Sequence, residues 1–174
     1  MRSKNTSGIS IIELVIIIAV IGIISAMAVP RMSSAGNFDY ETELKKDLAI
    51  FRNAIDLYYS EHQDRFPGEV SDGKYQANSS DAFVAQLTLF SDINGHTSVQ
   101  RDENYVYGPY LRNGIPVLPV GDNAGKSTVK IISEPIPPKA DLQTSVGWVF
   151  NVNTGQIIPN AQGCGSDGVS YISY

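Results

Sequence analysis

Cysteine is almost missing from this chain: Cys164 stands alone, so no intrachain disulfide can form and the redox compartment is not legible from it. Histidine is nearly as scarce. His62 and His96 have no neighbouring ligands at metal spacing, and His62 falls on an apolar helical seam, where a packed core histidine is the better reading. Basic residues are the minority, 13 against 18 acidic for a net charge of −5, and they form no cluster, which argues against nucleic-acid binding. Catalytic signatures are absent too. Gly125-Lys126-Ser127-Thr128 has Gly121 one residue too close for a phosphate-binding loop, and the residues after it read as a strand where that loop needs a helix N-terminus. Gly165-Ser166-Asp167-Gly168 lacks the spacing of a nucleophile elbow, and a lone Cys164 with distant histidines makes no catalytic pair.

What is present is a short polar leader, Gly8, and then an apolar run from Ile9 to Val29, 21 residues whose only charge is Glu13. As a helix it rises about 32 Å, enough to cross a hydrocarbon core of about 30 Å. A carboxylate inside such a run is costly and asks for a partner. A cut between Gly8 and Ile9 creates one, a new ammonium at Ile9. Glu13 lies about 6 Å further along the axis, so a neighbouring copy displaced by roughly one turn brings its amine beside that carboxylate. Two rivals explain less. An ordinary secretory signal cut near Ala26-Met27-Ala28 has too long an apolar stretch and does not account for Glu13. A plain anchor gives an early glutamate no purpose.

Residues 1 to 30 resemble the N-terminus of type IV pilins and type II secretion pseudopilins. That family has a basic leader ending in glycine, a peptidase cut after it, and a glutamate where Glu13 stands; Gly22 and Pro30 also fall where the family often has glycine and proline. Phenylalanine or methionine is commoner there than Ile9. The resemblance implies leader cleavage between Gly8 and Ile9, N-methylation of Ile9, and an assembly role for Glu13. Loss of Arg2 and Lys4 with the leader makes the chain two charges more negative. The basic residues flanking the run give only a weak orientation signal. The resemblance supplies the orientation: leader inside, domain outside.

Beyond the run, Pro30 is expected to kink or interrupt the helix, and Ser33-Ser34-Ala35-Gly36-Asn37 to form a local break. From Phe38 the helix resumes, with Leu44, Leu48, Phe51, Ile55, Tyr58 and His62 on one face and charged residues between them. Arg65-Phe66-Pro67-Gly68 ends it. Ser79-Ser80-Asp81 caps a second helix running to about Phe90. Asn78-Ser79-Ser80 is also a glycosylation sequon, for which a polar loop before a cap is the preferred reading. Tyr107-Gly108-Pro109-Tyr110-Leu111 and Ile115-Pro116-Val117-Leu118-Pro119 form an extended connection, because proline removes amide donors. Strands are expected at 127–133, 146–152 and 156–159, the last two joined through Asn153-Thr154-Gly155. The proline-rich connection and Gly147-Trp148-Val149-Phe150-Asn151 also resemble major pseudopilins, although the Asp-Pro-Trp-Gly stretch of many of them is missing after Pro119.

These observations lead to an α+β, pilin-like fold: a long N-terminal helix, half transmembrane and half packed, on a small antiparallel β-sheet. The expected segments are a leader over 1–8, an assembly helix over 9–30 and an extracytoplasmic domain over 31–174. The expected function is structural and not enzymatic: a homo-oligomeric filament subunit of the type II secretion pseudopilus acting in protein export, with a type IV pilus subunit as the alternative. An anchored extracytoplasmic enzyme or binding domain is the reading from a different class. The implied partners are a prepilin peptidase, an inner-membrane assembly platform and related minor pilins. The implied location is a single pass through a bacterial inner membrane, followed by a periplasmic or surface filament. Major pseudopilins resemble one another in a calcium-binding C-terminal loop. Asp122, Asp141 and Asp167 are the oxygen donors here, but they lack the alternating spacing of a specific site, and solvated loop aspartates are the better reading.

Overall fold

The computed structural model describes residues 11–134 and 138–174, with the backbone alone over 22–38. Two compact units divide between Asp39 and Tyr40. The first helix, α1, runs Ile11–Glu61 and belongs to both.

In the unit from Tyr40 onwards, α1 buries one stripe. Glu41, Leu44, Leu48, Phe51, Ile55, Tyr58 and His62 are all buried, at the alternating spacing of three and four that keeps side chains on one helical face. Against this stripe packs α2 (Ser80–Thr88), which begins where expected: the Ser79 hydroxyl accepts the Ala82 amide at 3.1 Å. Phe83 and Leu87 are fully buried, and Phe51 lies 6.4 Å from Phe83 between ring centroids.

Two small sheets complete the unit. Strands β1 (Phe90–Ser91) and β2 (Thr97–Ser98) form an antiparallel hairpin that the sequence patterns did not reveal. Strands β3 (Val129–Ile132), β4 (Trp148–Asn151) and β5 (Ile157–Pro159) form the second sheet, with β4 central. A short 3-10 turn, Tyr171–Ser173, follows. Central β4 is buried along its whole length, as a strand flanked on both edges should be. Its Trp148 stands edge-on to Phe51 at 5.1 Å, and its Phe150 meets Phe83 at 4.6 Å. The Trp148 Nε1 donates to the Pro116 carbonyl at 2.9 Å, which fastens the proline-rich connection over the core. The fold is therefore α+β, with three helical elements and two small open sheets among the described residues.

Three expectations are corrected. The larger sheet is mixed rather than antiparallel, because β3 and β4 are parallel and only β4 and β5 are antiparallel. The connecting lengths explain this. Asn153-Thr154-Gly155 is a tight hairpin turn, whereas the connection from β3 to β4 has the dozen or more residues that a parallel crossover requires. Secondly, α1 is helical through Pro30 and through 33–37, with no break. A proline removes one amide donor, and the bonds on either side can carry a helix past it. Thirdly, the transmembrane half of a pilin-like fold is not borne out: among the described residues no helix is long and apolar enough to cross a membrane.

Candidate functional site

Gly8 and Ile9, the cleavage and methylation positions, lie outside the described residues. Glu13 is described. It sits in the first turn of α1 and is exposed. Around it, Ile11, Ile12, Leu14, Val15, Ile16, Ile17, Ile18, Val20 and Ile21 are also exposed, by between 46% and 83%. Consecutive helical residues turn by about 100°, so this run presents apolar side chains on every side. Fully burying one side chain of this size is worth about 1.5–3 kcal/mol. A helix apolar all round is a helix that gets covered. No other surface among the described residues concentrates exposed large aliphatics in this way.

A second constellation lies at the start of the α1 segment that belongs to the larger unit. Glu41 is buried, yet its carboxylate is fully engaged. Oε1 accepts from Lys45 Nζ at 2.7 Å and from the Tyr174 hydroxyl at 2.8 Å, and Oε2 accepts from the Ser166 amide at 2.7 Å. The ammonium of Lys45, first, with the amide of Ser166 and the hydroxyl of Tyr174, holds the Glu41 carboxyl down at about 2. Lys45 in turn is held above its ordinary range, chiefly by Glu41. Its ammonium also lies 3.3 Å from Asp167 Oδ2 and 4.1 Å above the Tyr174 ring. Arg52 Nη1 donates to the Tyr174 backbone oxygen at 2.7 Å. The arrangement clamps the segment from Gly163 to Tyr174 onto α1. Its chemistry is that of a closure: a carboxylate held ionised by partners is no general base at neutral pH.

The third constellation contains the histidine expected on the seam. His62 Nδ1 donates to the Tyr58 carbonyl at 2.9 Å, so Nε2 accepts from the Ser91 hydroxyl at 3.0 Å. The imidazole stacks on the Tyr58 ring at 3.8 Å and meets the Tyr107 ring at 5.2 Å. Burial pushes the His62 pKa down. A serine hydroxyl bonded to a histidine has the outline of a nucleophile and its base. Both residues are sealed, with His62 1% and Ser91 0% exposed, so no substrate atom can approach the hydroxyl in this conformation. The pair positions the β1–β2 hairpin on α1. His96 sits apart on that hairpin, exposed, with Nδ1 at 2.9 Å from Asp92 Oδ2.

The calcium candidates are not brought together. Asp141 is paired with Lys130 at 2.5 Å, which holds its carboxyl below the usual range, and its amide and carbonyl are taken by the Asn160 side chain. Asp167 belongs to the Glu41 clamp. Asp122 is exposed on a separate turn. Among the described residues no group of three or more His, Cys, Asp or Glu is placed to hold a metal ion. Cys164 is exposed and bridges to Ser170 through the backbone. Gly125-Lys126-Ser127-Thr128 leads into β3, as its pattern indicates.

Sequence reasoning missed the Glu41 clamp, although Glu41 and Lys45 carry the i, i+4 spacing of a helical ion pair. Nothing in the local pattern pointed to Ser166 and Tyr174 as the other partners, because they lie more than a hundred residues away.

No protein-family model matches this chain, and no curated protein or solved structure matches it either. Together with the lack of a membrane-crossing helix among the described residues, this overturns the expected filament role in a type II secretion pseudopilus or a type IV pilus. The same finding removes the support for a single pass through an inner membrane, and with it the anchored enzyme or binding domain.

Proposed function

We propose that this chain is a non-enzymatic assembly module that associates with further copies of itself through the N-terminal part of α1. The observation that carries the reading is the exposed apolar circumference from Ile11 to Ile21. A helix with aliphatic side chains on every side is best covered by several helices of the same kind, since each copy offers and needs the same surface. The likeness of residues 1–30 to the start of type IV pilins supports a further step: a prepilin-type peptidase cuts between Gly8 and Ile9, and the new N-terminus at Ile9 is methylated. The cut leaves a cationic amine in one copy, opposite in charge to the Glu13 carboxylate of another. In a desolvated bundle such a pair sets the stagger between helices more than it adds stability.

The test is sedimentation of the chain beginning at Ile9, moved from mild detergent into dilute detergent. The wild-type chain is expected to sediment as an oligomer whose size grows with concentration. Ile17→Lys, which puts a charge in the covered surface, is expected to return it to a monomer with an unchanged circular dichroism spectrum. A monomeric wild type, or a monomer that floats with lipid vesicles instead of self-associating, overturns the proposal.

A further inference from the structure

The chain contains two Asn-Gly pairs, Asn94-Gly95 and Asn113-Gly114, and the fold treats them differently. Both asparagines are exposed. Both glycines have positive φ and close a turn, with Gly95 N–H donating to Asp92 O at 3.0 Å and Gly114 N–H donating to Leu111 O at 3.2 Å. The resemblance ends there. Gly95 is buried: a side-chain carbon in its place would lie 2.7 Å from the Tyr58 hydroxyl and 2.9 Å from Gln86 Nε2. Its carbonyl accepts from Gln86 Nε2 at 2.9 Å, and the next amide, that of His96, is held by Asp92 Oδ1 at 2.9 Å. Gly114 has nothing within 4 Å of the same position, and a single turn bond holds it.

We propose that Asn113 is a site of spontaneous covalent modification, deamidation through a succinimide, and that Asn94 is protected from it by the packing around Gly95. Glycine favours this reaction because no side chain shields its amide. The Gly114 amide nitrogen gives up its proton to solvent base and bonds to the Asn113 side-chain carbonyl carbon. The bond from that carbon to Nδ2 breaks, and the nitrogen leaves as ammonia. Water then adds to either ring carbonyl and opens the five-membered ring, giving aspartate or isoaspartate. No oxidant, reductant or enzyme is consumed. The Gly114 nitrogen must leave its turn bond and swing toward its own neighbour's side chain, a local opening rather than a global one. At Gly95 the same swing must displace the buried amide of Gln86 and the bonds that Asp92 makes to the hairpin.

The modification is not remote from recognisable surface. Asn113 follows Arg112, which together with Leu57, Glu61 and Val106 lines a groove of about 430 Å³. Conversion therefore sets a carboxylate beside the cation of that groove, and the isoaspartate product lengthens the backbone of the turn.

The experiment uses the full chain held at mildly alkaline pH in mild detergent, sampled over days. Peptide mass mapping locates the amide-to-acid conversion, and isoaspartyl methyltransferase labelling counts the isoaspartate. A parallel sample is unfolded in urea. In the folded chain Asn113 is expected to convert at least several-fold faster than Asn94, whereas in urea the two convert at similar rates. Gln86→Ala, which frees the Gly95 carbonyl, is expected to speed Asn94 and leave Asn113 unchanged. Equal rates at the two sites in the folded chain overturn the proposal. So does an inert Asn113 under conditions where the urea sample reacts at both, or an Asn94 rate unmoved by Gln86→Ala.

Discussion

Truncating Leu48 to alanine probes the packed half of α1 at its centre. Leu48 is 1% exposed on the stripe that faces α2 and β4, while Ile50, two residues on, is 41% exposed. Leu48→Ala removes the transfer free energy of the lost carbons and leaves a cavity that the aromatic neighbours fill only in part, a loss of about 3 kcal/mol within a range of about 2–5. A domain of this size is stable by about 5–15 kcal/mol, so the variant is expected to remain folded with a much smaller margin. Its melting temperature should drop by roughly 6–12 °C, since each kcal/mol is worth about 2–4 °C at this chain length. Ile50→Ala, on the exposed side, should change stability by less than about 0.5 kcal/mol. Trp148 is the chain's one tryptophan and stands against Phe51 in the same core, so its fluorescence in a urea titration reports the loss of this packing directly. The denaturant midpoint of Leu48→Ala should fall with an unchanged slope. Equal midpoints for the two variants would refute the assignment of the buried stripe.

Three further outcomes follow from particular contacts. Leu48→Asp buries a carboxylate in the apolar stripe, where the adjacent cations are already engaged, Lys45 by Glu41 and Arg52 by the Tyr174 backbone oxygen, and the urea transition seen by Trp148 fluorescence should be abolished rather than shifted. Glu41 has its pKa lowered from 4.5 to about 2, so the unfolded chain binds more protons between those values; the clamp's contribution is full above pH 4.5 and is lost as pH falls towards 2. Melts across that window should show a fall that Glu41→Gln makes shallower, the remainder coming from Asp92, Asp141 and Asp167, whose carboxyls are also held below their usual range, and an identical pH profile for the two proteins would count against the clamp. Ser79→Ala removes the cap of α2 and should cost about 1 kcal/mol in the same urea titration, with no change in helix content at low denaturant.

The elements that were legible in the sequence are those whose signals are local. Leu44 to His62 carry their burial in their spacing, and the Ser79 cap and the Asn153-Thr154-Gly155 turn are read from neighbouring residues. The three strands of the larger sheet were placed by their apolar runs, but their mutual direction was not. Direction depends on how the connection from Ile132 to Trp148 returns, and no period records that. The hairpin of β1 and β2 was invisible because each strand has only two residues, too few for alternation to show. It is held instead by side chains from elsewhere: the His62 ring on Ser91, and Asp72, which accepts the Thr97 hydroxyl at 3.0 Å. The Glu41 clamp is non-local for the same reason. The apolar run before Pro30 is plain in the sequence; its side chains from Ile11 to Ile21 are exposed, and among the described residues no helix is long and apolar enough to cross a membrane.

The central claim is that copies of this chain cover one another's N-terminal helix. It is tested most directly by oxidative cross-linking of single-cysteine variants in which Cys164 is replaced by serine. Ile16→Cys, Ile17→Cys and Ile18→Cys point in directions about 100° apart around α1. If helices of the same kind surround each other, all three should give disulfide-linked dimers in the chain beginning at Ile9, while Val117→Cys, exposed on the other unit, should not. Absence of cross-links at all three helix positions, under conditions where the thiols react freely with a soluble reagent, would contradict the account.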